Sequence, residues 1–179
     1  MENEKRIIEG CLQNDHRSQE LLYNRYAPGM FGVCLRYCDN VDDAEDVLQD
    51  AFILVFSHLK TFRSEGSFEG WIKRIIINSA INFLKKKVIS LAMVPIHEEI
   101  FDATIHADIL SKLSEKDLLT MIRNLPPGYR TVFNLFVIDG YSHNEIAERL
   151  GFTVSNSKTQ LMRAKIALRM MLIKDGYKR

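Results

Sequence analysis

Apolar residues recur three and four apart along almost the whole chain, and no stretch alternates as a half-buried strand does. No Asn-Gly or Asp-Gly turn sits between two alternating runs, so the chain is expected to be all-α. Helices are expected over residues 4–14 and 18–37, with a break near Asp15 and His16, then over about Asp42–Leu59 and Phe68–Lys87. On the third helix Ala44, Val47, Leu48, Ala51, Phe52, Val55 and Leu59 form one apolar stripe. Ser67 is a good N-cap for the fourth. The period fades through "VISLAMVPIHEEIFDATIHAD", which reads as a linker, and resumes in a second helical set after it. The organisation expected is a domain over 1–90, a linker over 91–110 and a second domain over 111–179.

Composition adds little until charge is mapped. Apolar residues are 46% of the 179, enough for real cores, and the net charge is only +1. No apolar run reaches the roughly 18 residues of a membrane span. The start "MENEKRIIEG" mixes both charge signs and holds no signal-like apolar run, so export and membrane insertion are not expected. Cys11, Cys34 and Cys38 are odd in number and lack C-x-x-C spacing; buried free thiols are the preferred reading over a metal or redox role.

Positive charge collects in two islands. Residues 71–87 hold Lys73, Arg74, Lys85, Lys86 and Lys87 without an acid, and residues 153–179 hold seven basic residues against one acid. Just ahead of the second island, Ser142-His143-Asn144-Glu145 is a capping box, Gly151 closes the short helix it starts, and Thr153 can cap the next. Two helices joined by a short Gly-containing turn form a helix-turn-helix pattern. Val154, Leu161, Ala164 and Leu168 are expected to face inward, leaving Asn156, Lys158, Thr159, Gln160 and Arg163 to a DNA major groove. The plainer reading is a bundle with a solvated basic face.

The helix "FEGWIKRIIINSAINFLKKK" is apolar almost all round, except for one line of Trp71, Arg74, Asn78, Asn82 and Lys85. An aromatic ring, a guanidinium, two amides and an ammonium in line suit an unpaired nucleic-acid strand, and Phe62 and Phe68 just ahead could add stacking area. Trp71 as a core anchor beside merely solvated amides fits the same pattern. Before this helix, "DNVDDAEDVLQD" packs six carboxylates into twelve residues with no base. Asp39, Asp43, Asp46 and Asp50 are expected opposite the apolar stripe, with Gln49 beside them. DNA would repel such a face; a basic protein surface would suit it, and so would plain solvent.

In this order the segments resemble a sigma factor of bacterial RNA polymerase, of the small extracytoplasmic-function type. The first domain carries the D-x-x-Q-D-x-F core at Asp46–Phe52 and the F-x-x-W-x-x-R-I-x-x-N run at Phe68–Asn78. The segment "LPPGYRTVFNLFVIDGYSHNEIAERLGFTVSNSKTQLMRAKIAL" is similar to the family's second domain. The resemblance implies a cytoplasmic, non-enzymatic transcription initiation factor without cofactor or metal. Its implied partners are core RNA polymerase, through the clamp of the largest subunit and the flap, then promoter DNA and an anti-sigma factor. It implies polymerase contacts at Asp43, Asp46, Gln49, Asp50 and Phe52. For the −10 element it implies Phe68, Trp71, Arg74, Asn78, Asn82, Lys85 and Lys86, with Asn78 where the family captures a base flipped from the non-template strand. For the −35 element it implies Asn156, Lys158, Thr159, Gln160, Met162 and Arg163. Many relatives begin the −35 helix with Ser-x-Gly-Thr; this chain has Thr153-Val154-Ser155-Asn156, so the promoter sequence does not carry over.

A conventional helix-turn-helix repressor or activator accounts for the second half, but leaves the Trp71–Lys85 line and the acidic helix without a use. An enzyme is disfavoured: the sequence has no phosphate loop, no G-x-G-x-x-G and no H-E-x-x-H, and its five histidines are scattered.

Overall fold

The computed structural model describes residues 2–87 and 115–174, so the expected linker lies outside the described residues. Among those residues all regular structure is helical: α1 (Glu2–Leu12), α2 (His16–Tyr37), α3 (Val41–His58) with a 3₁₀ turn at Leu59–Thr61, and α4 (Phe68–Lys87). After the gap come α5 (Glu115–Arg123), α6 (Pro127–Phe133) running into a π-helical turn at Asn134–Ile138, α7 (His143–Leu150) and α8 (Val154–Lys174). The chain divides into two compact units, with the division between Lys87 and Val88.

In the first unit the helix starts follow local chemistry. Asp15 accepts from the backbone N–H of Ser18 at 2.9 Å and from its hydroxyl at 2.6 Å, so α2 begins two residues earlier than the periodicity alone suggests. Asn40 caps α3, accepting from the Asp43 N–H at 2.7 Å. The apolar stripe of α3, from Ala44 through Phe52 to Val55, packs with Ile72, Ile76, Ile77, Ala80, Ile81 and Leu84 of α4 and the inner face of α2. Each of the larger side chains among these, the Val, Leu, Ile and Phe, contributes roughly 1.5–3 kcal/mol of apolar burial. Pro28 interrupts the hydrogen-bond ladder of α2 from its exposed side, and burial of Leu22, Tyr26, Met30, Val33 and Tyr37 keeps the helix together across it. All three cysteines are free and buried, as expected, and burial together with nearby Cys38 pushes the Cys34 thiol up to about 12.

The second unit is built around α8. Leu168, Ala164 and Leu172 pack with Met121, Ile122, Leu125 and Tyr129. Arg130 is 1% exposed, and its Nη1 donates to the carbonyl of Arg123, the last residue of α5, at 2.9 Å. One guanidinium thus closes α5 and fixes α6 against it. The wide turn after α6 carries an Asp139 N–H to Asn134 carbonyl bond of 2.9 Å. Gly140 then turns the chain at a φ of 76°, so that α7 can start. The capping box is present, with Ser142 N–H to Glu145 Oε2 at 2.8 Å and Glu145 N–H to Ser142 Oγ at 3.3 Å. Gly151, at a φ of 71°, closes α7.

Candidate nucleic-acid interface

The line on α4 is real as a surface. Ser67 caps the helix, its hydroxyl accepting from the Gly70 N–H at 3.0 Å. The six apolar residues named above then turn inward, which leaves Arg74, Asn78, Asn82, Lys85 and Lys86 exposed on the other side. Trp71 is half-buried. Its ring lies 5.6 Å from Phe68 with planes 15° apart, and 5.6 Å from Phe62. Phe68 in turn meets Phe62 at 4.9 Å and Tyr26 at 5.6 Å, both edge-on. Trp71 is thus anchored on one side by Phe62 and Phe68 and open on the other.

Phe68 itself is only 3% exposed, which corrects its placing among the strand contacts. It is the floor under Trp71. Beside the ring opens a cavity of about 320 Å³, lined by Phe62, Arg63, Glu65, Trp71 and Arg74 together with Thr61, Ser67 and the two nearby glycines. Asn78 is not among its walls and lies one turn along the helix from Arg74, roughly 6 Å away in rise.

On α3 the expectation needs two corrections. Phe52 is 2% exposed and packs edge-on against Tyr23 at 4.7 Å, so it supports the helix from inside and offers nothing to a partner. Asp43 is half-buried and turns back to accept from the Asn40 side-chain amide at 3.0 Å, a capping role. The exposed line on this helix is Asp42, Glu45, Asp46, Gln49 and Asp50. Asp39 is exposed too, but precedes the cap.

In the second unit Thr153 caps α8, its hydroxyl accepting from the Asn156 N–H at 3.1 Å. Lys158 and Met162 are exposed; Asn156, Thr159 and Arg163 are half-buried. Gln160 is 3% exposed and donates through Nε2 to Asn156 Oδ1 at 3.3 Å. It orients Asn156 and does not itself reach outward, which removes it from the groove-facing set. Val154, expected inside, is exposed at the first position of α8.

Sequence reasoning passed over His143. Its ring stacks on Phe136 at 4.3 Å, and Nδ1 lies 2.9 Å from the buried hydroxyl of Ser157, tying α7 to α8. Its place at the first position of a helix, fourteen residues before a buried Ser, carries no periodic signal. Burial, and after it the ammonium groups of Lys158 and Lys165, hold the imidazole below its ordinary value. The folded unit therefore binds a proton less readily than the unfolded chain. That contribution to stability is complete above the unfolded value of about 6.5 and is lost as pH falls below it. The melting temperature of the parent should fall more between pH 7.5 and 5.5 than that of His143→Gln; identical pH profiles would refute the coupling.

Two family models match the chain. Sigma-70 region 2 covers residues 22–88, and Sigma-70 region 4 covers residues 115–168. The chain is 28% identical to the ECF RNA polymerase sigma-E factor of Haemophilus influenzae, over 89% of either sequence. It is likewise 28% identical to the ECF RNA polymerase sigma factor SigW of Bacillus subtilis, over 94% of this chain and 96% of that one. The fold is shared with the sigma factor RpoE of Bartonella quintana, solved in complex with the anti-sigma factor NepR; the TM-score is 0.52 at 18% identity, covering 86% of this chain and 95% of that one. An all-α chain with a helix-turn-helix second unit and these matches defines a class: it belongs to the sigma-70 family of RNA polymerase sigma factors, as one of the extracytoplasmic-function type. No described helix is long and apolar enough to cross a membrane.

Proposed function

We propose that this chain binds core RNA polymerase in the cytoplasm and confers promoter specificity by reading two DNA elements with its two units. The observation that carries the reading is the division of exposed surface within the first unit. One helix presents acids in a line, and the next presents an aromatic ring and a guanidinium beside a cavity, with two amides further along the same face. DNA is excluded from the first face by its charge and favoured at the second. The first face therefore suits a basic protein surface, the polymerase clamp, through Asp46, Gln49 and Asp50.

On the second face, the cavity of about 320 Å³ has room for one unstacked base of the −10 element, with the Trp71 ring and the Arg74 guanidinium against it. Asn78, a turn further on, bonds the strand at the rim, and Lys85 and Lys86 follow the phosphates. An extruded base held this way makes strand opening depend on sequence. In the second unit, the exposed Lys158 and Met162, with Asn156 and Arg163, read the −35 element in the major groove. The fold shared with a factor solved in an anti-sigma complex supports an anti-sigma partner for this chain as well. The test is run-off transcription by core polymerase on genomic fragments with and without the chain. New, promoter-dependent transcripts are expected; their absence, combined with tight polymerase-independent binding to a palindrome, would favour a repressor.

A further inference from the structure

The exposed line on α3 does not end with its acids. Continuing at the same helical spacing from Asp46, Gln49 and Asp50, the next two positions are Ile53 and Leu54, 66% and 40% exposed. Ile53 is the most exposed large apolar side chain among the described residues. A single exposed isoleucine is ordinary on a protein surface; its position here is what matters. It lies roughly 4.5 Å in rise beyond Asp50, on the same face. Stable protein interfaces cover about 800 Å² on each partner, far more than three turns of one helix face present. In the other direction fewer than two turns, Val41 to Glu45, lie between Asp46 and the cap at Asn40. A partner laid along Asp46, Gln49 and Asp50 therefore runs over Ile53 and Leu54.

We propose that Ile53, with Leu54 beside it, is the apolar anchor of the polymerase-docking face, and that the acids orient the partner more than they hold it. This rests on the assignment of that face to core polymerase. The surface that fits carries basic side chains opposite Asp46 and Asp50 and an apolar patch one turn further along. Exposed charge pairs add little net energy but accelerate encounter, whereas a desolvated apolar anchor sets how slowly the complex falls apart. With Phe52 buried, Ile53 and Leu54 supply the apolar component that the sequence motif was expected to provide.

The experiment measures association and dissociation rates of the full chain with purified core polymerase at low and high salt. Ile53→Asn should speed dissociation roughly thirtyfold at both salt concentrations with little change in association, and Ile53→Leu should restore it. Asp46→Asn with Asp50→Asn should instead slow association, and mainly at low salt. Leu54→Asn serves as a second probe should Ile53→Asn lower the melting temperature. If both asparagine variants at 53 and 54 match the parent while the charge pair is weakened, the anchor is refuted and the docking face stands. If the charge pair is also unaffected, the docking face itself is misassigned. Sedimentation of the chain alone, showing a dimer abolished by Ile53→Asn, would give this face to a second copy and overturn the proposal.

Discussion

Asn78→Ala is expected to lower open-complex formation about five- to hundredfold, the loss of one base contact worth roughly 1–3 kcal/mol. The residue is exposed on a helix whose opposite side is packed with isoleucines, so truncation should leave the melting temperature nearly unchanged. The loss should depend on one −10 position: with that base already altered, parent and variant should perform alike. A pre-melted bubble should recover only part of the loss, because strand capture remains impaired. Open-complex yield over a set of single-base −10 templates makes the comparison. A uniform loss with a lower melting temperature would make Asn78 structural. Because Asn78 stands outside the cavity beside Trp71, the position it affects should neighbour the one affected by Trp71→Ala.

The second large effect is on folding. Arg130→Ala should destabilise the C-terminal unit by about 3 kcal/mol or more, from the lost charge-assisted bond and the space left by the stem. A unit of this size has only several kcal/mol to lose. The Arg123 carbonyl that receives Nη1 would keep its place at the end of α5 but lose its donor. Arg130→Lys should recover little, since an ammonium cannot reproduce the planar fork. Thermal unfolding followed in the two variants checks this, and a melting profile identical to the parent's would contradict it.

Much of the fold could be read from spacing because helix ends here are set by local chemistry. Ser67, Ser142 with Glu145, Gly151 and Thr153 each cap where the sequence places them. The line on α4 was legible for a related reason: five polar or amphipathic side chains on an otherwise apolar helix have only one face to occupy. What escaped was the choice between inside and outside for residues compatible with both. Phe52 and Phe68 belong to recognisable motifs, yet both are packed among neighbouring rings, which is a tertiary fact. Gln160 looks groove-facing by type, but its position follows Ser157 and precedes Leu161 on the buried side of α8. The π-helical turn at Asn134–Ile138 was invisible because "NLFVI" reads as continuous helix. His143 meets Phe136 and Ser157 from separate segments, so no single stretch announces it, while the cavity beside Trp71 is made within residues 61–74 by a loop that carries no periodic signal.

The central claim is that two neighbouring helices of one unit face different partners, polymerase on α3 and an unpaired strand on α4. Titration of core polymerase with the parent, with Asp46→Lys plus Asp50→Lys, and with Asn78→Ala tests it most directly. The charge-reversed protein should bind core polymerase at least tenfold more weakly while melting as the parent does, since exposed charges contribute little to folding. Asn78→Ala should bind core polymerase with parental affinity and fail only at strand opening. Parental affinity in the charge-reversed protein, or an equal loss in both variants, would contradict the division of labour between the two faces.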